Sequence, residues 1–238
     1  MRLWEQLNLD MDRHRVVTLV GGGGKTSLMY ALAHQARTLS RTVIVTTSTH
    51  IMPHPGIFLT DNPEPANLTA CVRLHGIITL GTMARADKLS GIGDMQACRQ
   101  AADVVLVEGD GAKLRPLKAP AAHEPVIPPL TDAVVAVAGM DSVGRPIRDI
   151  CHRVEQVCAL LGKAPDALVE EEDVARILSS FEGSRKGVAP YMAFRCVLNK
   201  ADVNPDAARR IAARLYGLGI QAAVTSFQEK ERGGLCWF

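Results

Sequence analysis

The chain reads as an α/β protein with a mainly parallel β-sheet flanked by helices in three layers, and three observations point there. Short β-branched runs alternate with segments of helical periodicity along its 238 residues. Aromatic residues make up only 4% while apolar residues make up 47%, so the core must be built from Val, Leu, Ile and Ala. That composition suits a buried parallel sheet under aliphatic helices. Polar clusters fall directly after the strand-like runs, at the carboxyl ends where parallel sheets of this class bind ligands.

Taken in order, residues 16–20 (VVTLV) predict a strand that stops at four consecutive glycines. A helix follows over 27–39, with Leu28, Leu32, Ala36 and Leu39 near a 3.6-residue period. A second buried strand at 42–47 ends in the polar run Thr46-Thr47-Ser48-Thr49-His50. Four prolines and a glycine across 53–65 predict a loop. A short strand at 76–80 and a helix at 95–102 lead to a strand at 104–107, which ends at Glu108-Gly109-Asp110-Gly111. Residues 112–129, AKLRPLKAPAAHEPVIPP, predict an ordered loop without regular structure, and long ordered loops usually have a task. Next come a strand at 133–138 and helices at 153–161 and 171–178, the latter opening on acids that suit a helix N-terminus. A strand at 194–198 ends at Asn199-Lys200-Ala201-Asp202, and a helix at 206–216 and a short strand at 222–225 complete the chain. Right-handed crossovers then order the strands in parallel. No internal repeat interrupts the pattern, so residues 1–238 predict one domain.

A net charge of +2 gives no electrostatic case for a nucleic-acid or membrane partner. The cysteines at 71, 98, 151, 158, 196 and 236 are scattered without a CxxC pair, which fits reduced thiols in the cytoplasm better than disulfides or zinc. The charge-studded N-terminus has no apolar h-region of a secretory signal, and the longest apolar stretches are too short to span a bilayer.

Phosphate binding needs convergent N–H donors and a cation, and Gly21-Gly22-Gly23-Gly24-Lys25-Thr26-Ser27 offers both between a strand and a helix. Lys25 would reach the β- and γ-phosphates of a nucleoside triphosphate, and the Thr26 hydroxyl would ligate Mg²⁺. The usual G-x-x-x-x-G-K-[ST] spacing would place a glycine at 19, where Leu19 stands. What is present is a shorter G-x-x-G-K-T, resembling the compact loop of Mur-type ligases, so the fold is expected to be P-loop NTPase-like.

Glu108 and Asp110 follow the apolar strand at 104–107, where a Walker-B carboxylate is expected. One would hold the metal, and the other would orient an attacking water or substrate hydroxyl. A polar turn with solvated acids is the plain alternative. The loop adds Lys113, Arg115, Lys118, His123 and Glu124, of which Arg115 is the candidate to stabilise charge on a transferring phosphoryl group or to grip an anionic second substrate. Solvated surface charge is the other reading. The hydroxyls of 46–49 could contact metal or phosphate, and His50 is a weaker candidate, since a lone histidine is more often structural.

Asn199, Lys200 and Asp202 form an N-K-x-D tetrapeptide, the guanine reader of GTPases, with Thr225-Ser226 as a supporting loop. Turn chemistry alone also favours Asn and Asp, so ATP and GTP both remain open.

GGGGKT, VTTSTH, VLVEGDGAKLRPLKAP with HEPVIP, VAVAGMDSVGRPI and VLNKAD together resemble the YqeC family, from about residue 16 to 202. The most specific stretch is 108–120. The resemblance implies an accessory protein for selenium-dependent molybdenum hydroxylases, acting in selenium cofactor biosynthesis, with a hydroxylase or other maturation proteins as partners. Three activities fit the residues: an Mg²⁺–NTP-hydrolysing maturation factor, a phosphotransferase or Mur-like ligase acting on a small acceptor, and a non-catalytic nucleotide-gated module that inserts a cofactor. Cys236 is a weaker candidate for a selenium or sulfur acceptor, a role that would need an accessible thiolate.

Overall fold

The computed structural model describes residues 2–85, 88–91, 94–229 and 235–236. Its centre is a sheet of eight strands: β1 (Val16–Gly21), β2 (Val43–Thr47), β3 (Phe58–Thr60), β4 (Ile77–Leu80), β5 (Val104–Glu108), β6 (Ala133–Gly139), β7 (Ala193–Asn199) and β8 (Gln221–Val224). Their spatial order is β8-β7-β6-β1-β5-β2-β4-β3, and every neighbouring pair is parallel. β1 therefore lies inside the sheet, between β5 and β6. The register sets Leu19 opposite Glu108 and Gly21 opposite Val137, which brings the glycine turn beside the ends of both neighbours.

Strand side chains alternate between two faces, and each face finds its own cover. Val17, Leu19, Val43, Val45, Leu106 and Val135 pack against α1 (Leu3–Gln6) and α2 (Lys25–Thr38). On the opposite face, Val16, Ile44, Ile78, Val105 and Val107 meet α3 (Pro65–His75) and α4 (Met95–Ala101). The rest of that face, including Val134, Ala136, Cys196 and Leu198, is covered by α6 (Val154–Leu161), α7 (Glu171–Ser179) and α8 (Pro205–Gly217). A single-turn helix, α5 (Ile147–Ile150), precedes α6. The architecture is a three-layer α/β/α fold, as the alternation of elements predicts. None of the described helices is long and apolar enough to cross a membrane.

Local chemistry explains the helix ends. At α7 the Glu170 amide donates to the Asp173 carboxylate at 2.8 Å, so the acidic start works as a reciprocal cap. At α8 the Asn204 side chain accepts from the Ala207 amide, with Pro205 in the first turn.

The structure departs from the sequence expectation in four places. α1 forms near the N-terminus, with Trp4 buried and its indole N–H donating to the Leu32 carbonyl at 3.1 Å. Within 53–65, residues 58–60 join the sheet edge, and Pro65 opens a helix because a first-turn proline has no amide to satisfy. A small antiparallel sheet links His50–Ile51 with Thr82–Arg85 and Lys88–Ser90. The 112–129 loop is not wholly irregular: Leu117–Lys118 forms a parallel ladder with Cys151–His152.

Leu32 is fully buried between α2 and the sheet. Leu32→Ala is expected to cost about 2–5 kcal/mol of unfolding free energy through lost burial and a residual cavity. Urea denaturation with an unchanged midpoint would contradict the packing described.

Candidate functional site

The glycine turn divides into an anchored half and an open half. The Gly21 amide donates to both Asp110 carboxylate oxygens at 3.1 Å, the Gly22 amide to the Val137 carbonyl at 2.9 Å, and the Gly23 amide to the Arg115 carbonyl at 3.0 Å. These three amides are already occupied. Gly24 caps α2, and the first bond entering the helix runs from the Leu28 amide to the Gly24 carbonyl at 3.0 Å. The amides of Gly24, Lys25, Thr26 and Ser27 thus have no helical acceptor. A Ser or Asp cap would occupy some of them with its own side chain; glycine leaves them open at the positive end of the helix dipole.

The turn tolerates no side chain. Gly23 has φ +77°, and a Cβ there would lie 2.2 Å from the Gly139 backbone nitrogen. Gly24 has φ +114°, and its Cβ would lie 2.4 Å from Asn199 Nδ2. Asn199 uses that group to donate to the Gly23 carbonyl at 2.7 Å, while its Oδ1 accepts from the Thr225 hydroxyl at 3.1 Å. The Ala201 amide donates to the Thr225 carbonyl, and the Ser226 hydroxyl bonds Asp202. Sequence positions 199–202 and 225–226, separated along the chain, are thereby brought together and tied to the turn. Lys200 pairs with Asp141 at 2.7 Å.

Beneath the turn runs a buried chain of alternating charges. Lys25 Nζ donates to the Gly21 carbonyl at 2.6 Å and lies 3.3 Å from Asp110 and 3.9 Å from Glu108. Asp110 pairs at 3.0 Å with Lys118, which pairs at 2.9 Å with Glu124. Arg153 grips both Glu124 oxygens, at 2.8 and 2.9 Å. All of these except Arg153 are under a tenth exposed. Charges buried this deeply persist only when each is paired and hydrogen-bonded.

The two acids differ sharply in surroundings. Asp110 is saturated by an amide and two lysines, whereas among the described residues Glu108 accepts one hydrogen bond, from the Thr26 hydroxyl at 2.9 Å. Burial pushes the Glu108 carboxyl up, against the pull of Lys25 and the Thr26 bond, and a dication beside it would favour the ionised form. The described residues hold no cluster of three His, Cys, Asp or Glu able to bind a metal. A hydroxyl beside one carboxylate suits Mg²⁺, which keeps waters and phosphate oxygens as its remaining ligands.

The turn opens into a cavity of about 900 Å³. Gly23 to Ser27 and Glu108 form its floor, Ser48 to Pro55 one wall, and 111–115 with His152 and Arg153 the other. Arg115 lies here, its guanidinium bonded to the Asp149 carbonyl. His50 and His123 also line it, while Asn199, Lys200 and Asp202 do not. Lys118 and Glu124, expected as loop charges, are instead internal parts of the charge chain. Thr46 and Thr47 are not directed at a ligand either: their hydroxyls donate to the carbonyls of Leu80 and Glu108 at 2.9 Å, because strand ends need those groups satisfied. The sequence carried no motif for His152, Arg153 or Lys88, which reach the cavity from short separate segments. The Cys236 thiol lies outside the described side chains.

Burial, with Lys118, Arg153 and Lys113 nearby, holds the His152 imidazole below its usual pKa. Burial alone would raise the Glu124 carboxyl, but its bonds from Arg153 and Lys118 bring it down from 4.5 to about 2. A depressed carboxylate stabilises the fold above its unfolded pKa, and that contribution fades as pH falls from 4.5 toward 2. Acid titration of stability should show this loss in the wild type, and Glu124→Gln should flatten the profile in the same window. Identical acid profiles would contradict the pairing.

Gly23→Ala, with its backbone clash and left-handed φ, is expected to lower stability by more than about 2 kcal/mol. A wild-type melting temperature for that variant would contradict the close approach of the turn to β6.

Comparison with known proteins supplies the lineage. The family model described as "YqeC protein" matches residues 17–155. A protein of Escherichia coli (strain K12) described as "Uncharacterized protein YqeC" is 34% identical over 187 residues, covering 74% of this chain and 72% of that protein. No solved structure matches. The matched span carries the glycine turn, the acid pair and most of the cavity wall, and on this footing the chain belongs to the YqeC family.

Proposed function

We propose that the protein binds and hydrolyses a nucleoside triphosphate with Mg²⁺, as a cytoplasmic accessory factor in selenium cofactor biosynthesis or the maturation of selenium-dependent molybdenum hydroxylases. One observation carries the nucleotide reading: four open amides at the start of α2 stand beside a buried lysine and a hydroxyl–carboxylate pair. The maturation role rests on the resemblance of the VTTSTH, EGDGAKLRPLKAP and VLNKAD stretches to the YqeC family.

In this reading the amides of Gly24 to Ser27 receive the phosphate tail, and the anchored half, Gly21 to Gly23, fixes the loop's shape. Lys25 leaves the Gly21 carbonyl for the β- and γ-phosphate oxygens, and Asp110 sets the side chain's starting position from 3.3 Å away. Thr26 and Glu108 would hold Mg²⁺, which would supply neutralisation of charge on the phosphates. With Asp110 committed to the Gly21 amide, Lys25 and Lys118, Glu108 takes both roles expected of the pair and also orients the attacking water, while Arg115 in the cavity wall offsets charge on the transferring group. Asp202, set by the Ser226 hydroxyl beside the Asn199–Thr225 brace, reads guanine; ATP is the alternative.

A second activity, phosphoryl transfer or Mur-like ligation onto a small acceptor, is favoured by the cavity that the turn opens into. A nucleotide-gated module that inserts a cofactor without turnover is the third reading.

Lys25→Ala is expected to abolish measurable Mg²⁺–NTP affinity in calorimetry, with wild-type affinity for the variant contradicting the assignment. Asp202→Ala should weaken GTP binding by about 1–3 kcal/mol, roughly 5- to 150-fold, and leave ATP binding unchanged. An equal effect on both nucleotides would remove guanine reading from Asp202.

A further inference from the structure

We propose that the cavity beside the glycine turn is the site of a second substrate, a small oxyanion bearing a phosphate or carboxylate group. It is held by Lys88, Lys113 and Arg115 facing the terminal phosphate. The proposal rests on the nucleotide reading above for its geometry and goes beyond it in naming the class of acceptor.

Position is the first argument. β1 divides the carboxyl edge of the sheet into two halves. The 199–202 segment follows β7 and the 225–226 segment follows β8, on one side of the turn; the cavity lies on the other, over β5 and β2. A nucleotide lying along the turn with its base toward Asp202 directs its terminal phosphate at the cavity, whose walls at 48–55 and 111–115 extend beyond the turn. About 900 Å³ is within the range of small-molecule sites and is ample for a second compound.

Charge gives the class of compound. The carboxylates in the lining, Glu108 and Glu124, are both committed, one to Thr26 and Lys25, the other to Lys118 and Arg153. Lys88 and Lys113 line the same space and form no ion pair within 4 Å among the described residues, although the charge of Lys88 still acts on Glu108. An excess of cations over carboxylates on a concave site raises the local concentration of anions.

Backbone strain gives the third argument. Lys113 and Leu114 are consecutive non-glycine residues at φ +47° and +62°, a conformation side chains disfavour. The turn is held there because the Arg115 carbonyl accepts the Gly23 amide and the Arg115 guanidinium bonds the Asp149 carbonyl. Strain retained by such pinning concentrates at ligand clamps, and here it presents Lys113 at the cavity rim. The same contacts join the rim to the nucleotide loop through a single backbone bond.

The test uses the full chain saturated with Mg²⁺ and a non-hydrolysable triphosphate, titrated calorimetrically with inorganic phosphate, glycerol 3-phosphate and citrate, with glycerol as the uncharged control. At least one oxyanion should bind and glycerol should not. The Lys88→Ala/Lys113→Ala double variant should weaken that binding at least tenfold while keeping nucleotide affinity within twofold of wild type. The proposal is overturned if none of the three oxyanions binds, or if the double variant binds them as the wild type does. It is also overturned if the double variant loses nucleotide affinity, since the cavity would then belong to the nucleotide. A parallel titration without nucleotide separates the two readings: oxyanion binding sensitive to Lys88 and Lys113, in a protein that binds no triphosphate, keeps the anion site and removes the NTP assignment.

Discussion

The buried carboxylate of Asp110 is the constraint on which the site depends. It receives the Gly21 amide, Lys25 and Lys118 at once, and each partner belongs to a different segment. The glycine turn, the helix it leads into and the proline-rich loop therefore meet at one side chain. Removing Lys25 or Lys118 would take away one of the two cations that balance this buried carboxylate, and breaking a buried pair costs more than the pair is stabilising. Lys118 extends the constraint to Glu124, and Glu124 to Arg153, so the opposite cavity wall is fixed by the same chain of charges. Prolines in the loop reduce the backbone freedom lost in forming it.

Sheet order turns this local arrangement into a site. Because β1 runs between β5 and β6, the glycine turn is bordered by Glu108 on one side and by Gly139 on the other. Bulky residues have no room where the turn crosses β6, as the positions of Gly21 and Gly23 against Val137 and Gly139 show. Asn199 closes the arrangement from β7 by bonding the Gly23 carbonyl. A rigid frame around a few unsatisfied donors is how a protein prepares for a ligand before meeting it.

Much of this was legible from local patterns. The strand at 16–20, the glycine turn and the following helix declare themselves because their signals lie within one short stretch. The convergence of 199–202 with 225–226 followed from parallel-sheet logic, in which strand ends share an edge. Signals that depend on distant partners were not legible. Lys118 reads as a loop cation until Asp110 and Glu124 are seen beside it, and Arg153 carries no motif although it fixes Glu124 from 29 positions away. The occupancy of Thr46 and Thr47 by backbone carbonyls likewise depends on neighbours in β4 and β5. Trp4 and α1 were missed because a four-residue helix has no periodicity to detect; it exists through packing on α2.

The central claim is that the amides opening α2 receive a phosphate tail. Amide chemical shifts of Gly24, Lys25, Thr26 and Ser27, followed by NMR as Mg²⁺ and GTP or ATP are added, test it most directly. The account predicts large shifts and slowed hydrogen exchange at these four positions, with smaller changes at Gly21 to Gly23, whose amides are already bonded. Saturating nucleotide that leaves all four resonances in place would contradict it.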